Sequence, residues 1–207
     1  RLENDLEYKR LFVKAFGTQF IDSTYVAKAI AQFLRTMISA NSKYDVMYKY
    51  ANNMQLTPSE YQIYQTVSIQ EWAGYDLFQS LNGADCFHCH NGALMQVQRY
   101  SNNGLDATFS DLGRGAVTGN TSDNGTFKIP SLRNIEFTAP YMHDGRFKTL
   151  TEVIKHYNTI QPNQHTAATF TKPMQLSDKD RVDLVVFLQT LTDKAFLFNP
   201  RYAYPKK

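Results

Sequence analysis

Cysteine is almost absent from this chain, with two in 207 residues, and that excludes the disulfide framework on which small secreted domains depend. Long apolar runs are absent too. No stretch approaches the roughly 20 apolar residues that a membrane-spanning helix requires, so no membrane span is expected. Lys and Arg form no run long enough for a strong field, and the formal charge is only +3. Neither a nucleic-acid partner nor a membrane-surface helix is therefore expected. Internal repeats and low-complexity segments are lacking. The sequence opens at Arg1 with no signal peptide, which leaves two explanations: a processed export signal, or a fragment cut from something longer.

What is present suffices for a core, since 43% apolar against 20% charged residues sets disorder aside. Aromatics reach 14%. That share suits rings packed around a large flat ligand, although a Tyr-rich surface accounts for it equally well. Apolar spacing is helical nearly throughout. Leu6, Phe12, Val13 and Phe16 share one face after Asp5. From Asp22, read as an N-cap, Val26, Ile30, Phe33, Leu34, Met37 and Ile38 keep the period and predict a helix that stops near Asn41. Capping patterns at Thr57–Glu60, Thr149–Glu152 and Ser177–Asp180 predict three more starts. Trp72, Leu77, Phe78 and Leu81 form another apolar face, ending at Asn82-Gly83. Between residues 100 and 128 the period fades into Asn, Ser, Thr, Asp and Gly, which predicts a long irregular loop with a short hairpin. The expected fold class is all-α.

The two cysteines stand three apart with histidine next, in Cys86-Phe87-His88-Cys89-His90. Each thiol on such a turn can add across a vinyl group along one porphyrin edge, while the adjoining imidazole swings beneath to reach iron. C-x-x-C-H thus reads as attachment of one haem c, with His90 as axial ligand. Two other chemistries share part of the pattern. A thioredoxin-like dithiol wants a βαβ context, which the sequence does not offer. A zinc site wants a second ligand pair at metal-binding spacing. His88, between the cysteines, reads as a solvent-side spacer. Gly74, just upstream, is a small residue suited to the point where the helices of a cytochrome c-like domain cross, its partner being the apolar stretch Leu184–Leu191.

Several segments carry a resemblance: FVKAFG at Phe12–Gly17, AIAQFLRTMISANSKYD at Ala29–Asp45, and the haem motif. They continue with DLGR at Asp111–Arg114, FKIPSLRNIEFTAPYMHDGRF at Phe127–Phe147, Leu150–Asn158, and FLQTLTD at Phe187–Asp193. Together they resemble the bacterial di-haem cytochrome c peroxidase family, which includes MauG, over nearly the whole chain. The resemblance implies a cytochrome c-like haem domain at 57–207. It implies that 1–56 is a helical segment from the end of an N-terminal haem domain whose own C-x-x-C-H is not in this sequence. The expected role is electron transfer to the peroxide-reacting haem of that other domain. The whole would be a periplasmic peroxidase that reduces hydrogen peroxide or uses it to oxidise a substrate, and this chain alone would not turn peroxide over. A small electron-donor protein, such as a cytochrome c or cupredoxin, is the implied partner. A stand-alone single-haem electron carrier without catalysis is the alternative, and Trp72 reads as core.

The resemblance also bears on the second axial ligand. Fourteen residues beyond His143 the family places Met in the peroxidases and Tyr in MauG; here that residue is Tyr157. Phenol ionises near pH 10, and a metal favours the ionised ligand, so His90/Tyr157 ligation predicts a low potential and a haem suited to storing oxidising equivalents. Met174, in the loop before the last long helix, is the competitor; Met142 and His156 read as packing and as surface. Backbone carbonyls at Thr138 and Pro140 match positions that bind calcium in the family, as carbonyl oxygen suits that hard cation. Arg133 and Arg114 are candidates for pairing with haem propionates. His143 is a candidate for tuning the haem from its edge.

Overall fold

Capping chemistry marks where the helices of this chain begin. The computed structural model describes residues 2–161, 166 and 173–203, and the chain divides into two compact units, Arg1–Ser39 with Phe198–Lys207, and Ala40–Leu197. In the first, Asp5 accepts the N–H groups of Glu7 and Tyr8 to open α1 (Leu6–Phe16), and Gly17, at φ +73°, closes it by donating to Val13. Asp22 caps α2 (Ser23–Thr36) through the N–H of Tyr25. Phe12 and Ile21 are buried, but α2 buries nothing within its unit, and Phe20, Ile30 and Leu34 are exposed.

Helix α2 stops at Thr36 rather than near Asn41. The next donors close on shorter spans, Met37 N–H to the Leu34 carbonyl and Ile38 N–H to the Thr36 carbonyl, both at 3.1 Å. The Asp193 carboxylate then takes the N–H groups of Ala40 and Asn41, both at 2.9 Å. The second unit then opens with α3 (Lys43–Ala51), capped reciprocally by Ser42 and Asp45. Sequence periodicity did not delimit this helix. Tyr44 and Met47 on α3 belong to the same core as Phe78 and Phe187.

The remaining long helices are α4 (Pro58–Tyr64), α5 (Ile69–Gln79), α7 (Leu150–Thr159) and α8 (Asp178–Gln189), opened by capping boxes at Thr57, Ser68, Thr149 and Ser177 respectively. Short helices α6 (Gly115–Thr118) and α9 (Lys194–Leu197) complete the set among the described residues. Leu81 lies beyond α5 and is exposed. The predicted hairpin is a two-residue antiparallel pair, β1 (Tyr100–Ser101) with β2 (Phe127–Lys128), and α6 sits in the loop it closes. The described chain is all-α apart from that ribbon, and no described helix is long and apolar enough to cross a membrane.

Helices α5 and α8 cross at Gly74. A Cβ there would stand 2.1 Å from the Asp183 carbonyl oxygen and 2.6 Å from Phe187 Cβ, so only glycine lets the backbones approach this closely. Phe78, Leu184, Phe187 and Leu191 are fully buried around the crossing, each side chain contributing about 2 kcal/mol of transfer free energy. A polar node joins remote segments beside it. Asn134, at φ +59°, donates its N–H to the Leu191 carbonyl at 3.0 Å, and its side-chain oxygen accepts the Asp193 N–H at 2.8 Å.

Candidate functional site

Four segments of the second unit enclose a cavity of about 390 Å³, within the range of small-molecule and cofactor sites. Helix α7 supplies one wall. Leu150, Val153, Ile154 and Tyr157 recur at helical spacing and all line the cavity. Phe78 from α5 and Leu188 from α8 supply another, and Ile129, Leu132 and Ile135 from the long loop close it. Into this apolar space come the two thiols, His90, Tyr157, Met142 and His143.

Cys86–His88 forms a single 3-10 turn after Asp85, which sits at φ +50°. The turn brings the N–H groups of Cys89 and His90 onto the Cys86 carbonyl at 3.2 and 2.9 Å, and so carries both thiols and the imidazole to the cavity together. Burial pushes the Cys86 thiol up to about 12, with Asp85 and Cys89 adding to the effect. A redox dithiol needs the opposite, a stabilised thiolate. The two cysteines are not joined by a disulfide. His88 points outward and contacts Asp85 at 2.5 Å.

His90 Nδ1 lies 3.1 Å from the Pro130 carbonyl oxygen. That oxygen can only accept, so Nδ1 carries the proton and Nε2 keeps its lone pair. Burial lowers the imidazole pKa to about 4, against the pull of the Met95 and Pro130 carbonyls. The ring is neutral at physiological pH, as a metal ligand must be. Tyr157 has its phenol pushed up to about 12 by burial, opposed by a hydrogen bond with the Asn103 side chain and reinforced by the nearby thiols.

Met174 is placed differently. It packs against the core, its N–H 3.4 Å from the Tyr157 carbonyl oxygen, and it does not line the cavity. Met142 does line it, and Asn103 Nδ2 lies 3.4 Å from its sulfur. His156 is half-buried, with Nε2 3.3 Å from the Asn103 carbonyl oxygen. Asn103 therefore touches three of the side chains weighed as ligands. It sits in the irregular loop, where no periodicity singles it out.

Arg133 is also placed away from the cavity lining. Its guanidinium meets both Asp45 carboxylate oxygens, at 2.6 and 3.1 Å, and the Ala93 carbonyl at 2.6 Å. These contacts hold α3 to the loop. Arg114 stacks over Tyr100, 4.4 Å from the ring centroid, and pairs with Asp123. His143 lies flat on Phe127, centroids 3.9 Å apart, at the cavity wall. Thr138 and Pro140 also line the cavity, and the Thr138 hydroxyl donates to the Ile135 carbonyl.

Among the described residues no three of His, Cys, Asp and Glu converge as a metal cage. Two thiols, one neutral imidazole and one phenol around apolar walls suit instead a flat group that brings its own equatorial ligands. Haem c fits that description.

The family model for di-haem cytochrome c peroxidase matches residues 1–53. A cytochrome c551 peroxidase of Nitrosomonas europaea is 33% identical over 90% of this chain and 49% of its own length. The methylamine utilization protein MauG of Methylophilus methylotrophus is 31% identical over 92% of this chain and 53% of its own. The chain thus spans about half the length of these relatives. A crystal structure of a MauG-like protein associated with microbial copper homeostasis superposes with a TM-score of 0.75 at 30% identity, covering 99% of this chain and 64% of that one.

Proposed function

Because this chain belongs to the di-haem cytochrome c peroxidase family, whose cofactors are haems c, we propose that its cavity holds one of them and serves as an electron-transfer site. The observation that carries this reading is the convergence of Cys86, Cys89, His90 and Tyr157 on one cavity. Cys86 and Cys89 would hold the group by thioethers, with His90 and Tyr157 as the residues that would bind its iron. When bound, the haem supplies a one-electron couple at iron. The protein's part is to fix the imidazole through Pro130, to exclude water with Phe78, Ile154 and Leu188, and to steady the Tyr157 hydroxyl through Asn103.

In the whole protein this site would pass electrons to a second, peroxide-reacting haem, for peroxide reduction or peroxide-driven oxidation in the periplasm. A small cytochrome c or cupredoxin would be the donor. Residues 1–56 would then come from the end of the domain of that second haem, with α3 reaching into the core of this one. The carbonyls of Thr138 and Pro140 would contribute to a calcium site, with hard oxygen ligands.

The test is to express the chain with haem-attachment machinery. A Soret band that stays with the polypeptide under denaturing conditions is expected, and the pair Cys86→Ala, Cys89→Ala should abolish it. Tyr157→Phe should remove a phenolate signature from the ferric near-infrared and EPR spectra while Met174→Leu leaves it in place. Colourless protein with both thiols free would overturn the assignment.

A further inference from the structure

We propose that Tyr50, Tyr61, Tyr64, Trp72 and Tyr75 form an electron relay from the protein surface to the haem cavity. The inference rests on the reading that the cavity holds haem. These are the side chains that can give up one electron, and they stand in unbroken ring contact. Tyr61 meets Tyr64 with centroids 5.9 Å apart, and Tyr64 stacks on Tyr50 at 4.2 Å. Both members of that stack meet Trp72, the chain's one tryptophan, Tyr50 at 5.9 Å and Tyr64 at 6.5 Å. Trp72 meets Tyr75 at 5.4 Å. Beyond it the path continues through Phe187, 5.6 Å from Tyr75, to Phe78 at 5.1 Å, and Phe78 lines the cavity.

The frame is fixed rather than incidental. Lys49 on α3 pairs with Glu60 on α4 at 2.5 Å, and Lys43 on α3 with Glu71 on α5 at 2.9 Å, so the three helices that carry the rings are tied together by charge. Exposure is graded along the path. Tyr50 and Tyr61 are about half exposed, at 49% and 51%, whereas Phe187 and Phe78 are fully buried.

That gradient matters for the chemistry. A phenol that loses an electron must also lose its proton. Tyr50 and Tyr61 can give theirs to water, leaving a neutral tyrosyl radical. An indole can lose an electron and keep its proton, so Trp72 serves as the interior station. Tyr75, Phe187 and Phe78 provide the coupling through packed rings. For each electron that reaches the cavity, one surface tyrosine is oxidised and one proton enters solvent. The oxidising equivalent comes from the peroxide chemistry of the proposed function, and an external one-electron reductant restores the tyrosine.

The experiment uses the haem-loaded chain in its ferrous form and a pulse of azide radicals, which oxidise Trp and Tyr. Loss of the ferrous Soret band is then followed in time. A first-order phase independent of protein concentration is expected as the haem refills the oxidised ring. Trp72→Phe, which keeps an aromatic ring in place, should slow that phase by about tenfold, an added barrier of about 1.4 kcal/mol. The double variant Tyr50→Phe with Tyr64→Phe, which keeps both rings, should reduce its amplitude. An intramolecular phase unchanged in both variants overturns the relay while leaving the haem site intact. A wild-type chain that takes up no haem overturns the reading of the cavity, and the relay with it.

Discussion

The α5/α8 crossing and the loop from Asn91 to Lys148 wall the same cavity with opposite chemistry. The crossing is carbon against carbon, with Gly74 admitting the neighbouring backbone and Phe78, Leu184 and Phe187 filling the rest. The loop is held by single polar side chains. Arg133 joins Asp45 to the Ala93 carbonyl, Ser131 Oγ donates to the Leu94 carbonyl at 2.6 Å, and Asn102 Nδ2 to the Gly125 carbonyl at 3.0 Å. Apolar packing spreads its stabilisation over many contacts, whereas a polar latch concentrates it in one residue and leaves a stranded partner when it fails. The loop wall should therefore be the more brittle of the two.

The sharpest way to break that contrast is Arg133→Ala, which abandons the half-buried Asp45 carboxylate. A loss of about 3 kcal/mol is expected, read by urea unfolding of the haem-loaded protein. Gly74→Ala attacks the other wall and should cost about 2 kcal/mol, because the atom in the way is backbone and cannot rotate aside. Should Gly74→Ala prove much the costlier, the ranking of the walls is reversed. Acid should also separate them. Burial alone would raise the Asp45 carboxyl, but hydrogen bonds from Arg133 and Ser42 outweigh it and hold it below the usual carboxylate range. Its stabilisation is complete above the unfolded value of about 4 and is lost as pH falls through the depressed folded value. Asp45→Asn should flatten the pH dependence of unfolding across that window. The smallest effect concerns the start of α8, where Ser177→Ala should cost about 1 kcal/mol with no change in the haem spectrum.

What could be read from the sequence follows the same division. Capping boxes at Thr57, Thr149 and Ser177 gave true helix starts because the signal is local, three residues long and chemically specific. Gly74 was legible as a crossing point for a similar reason, being a small residue on an apolar face. The end of α2 was not, since the apolar spacing runs on through Met37 and Ile38 beyond its last residue, Thr36. Helix α3 was missed although Ser42 and Asp45 box it, because its apolar face is short and broken by charge. Within the cavity, the cysteine and histidine spacing pointed to the thiols and the imidazole. Arg133 was legible as a cation but not as the partner of Asp45, and Asn103 was invisible. A loop's long-range hydrogen bonds leave no period in the sequence.

The node at Asn134 and Asp193 has a bearing on biosynthesis. The backbone at 40–41, the turn at 134 and the end of α8 are secured to one another through that aspartate and its neighbours. During translation the start of this unit therefore waits, unlatched, until residue 193 clears the ribosome. Pairings between such remote positions are slow to form, and for that interval the nascent chain exposes the walls of its future cavity to whatever binds apolar surface.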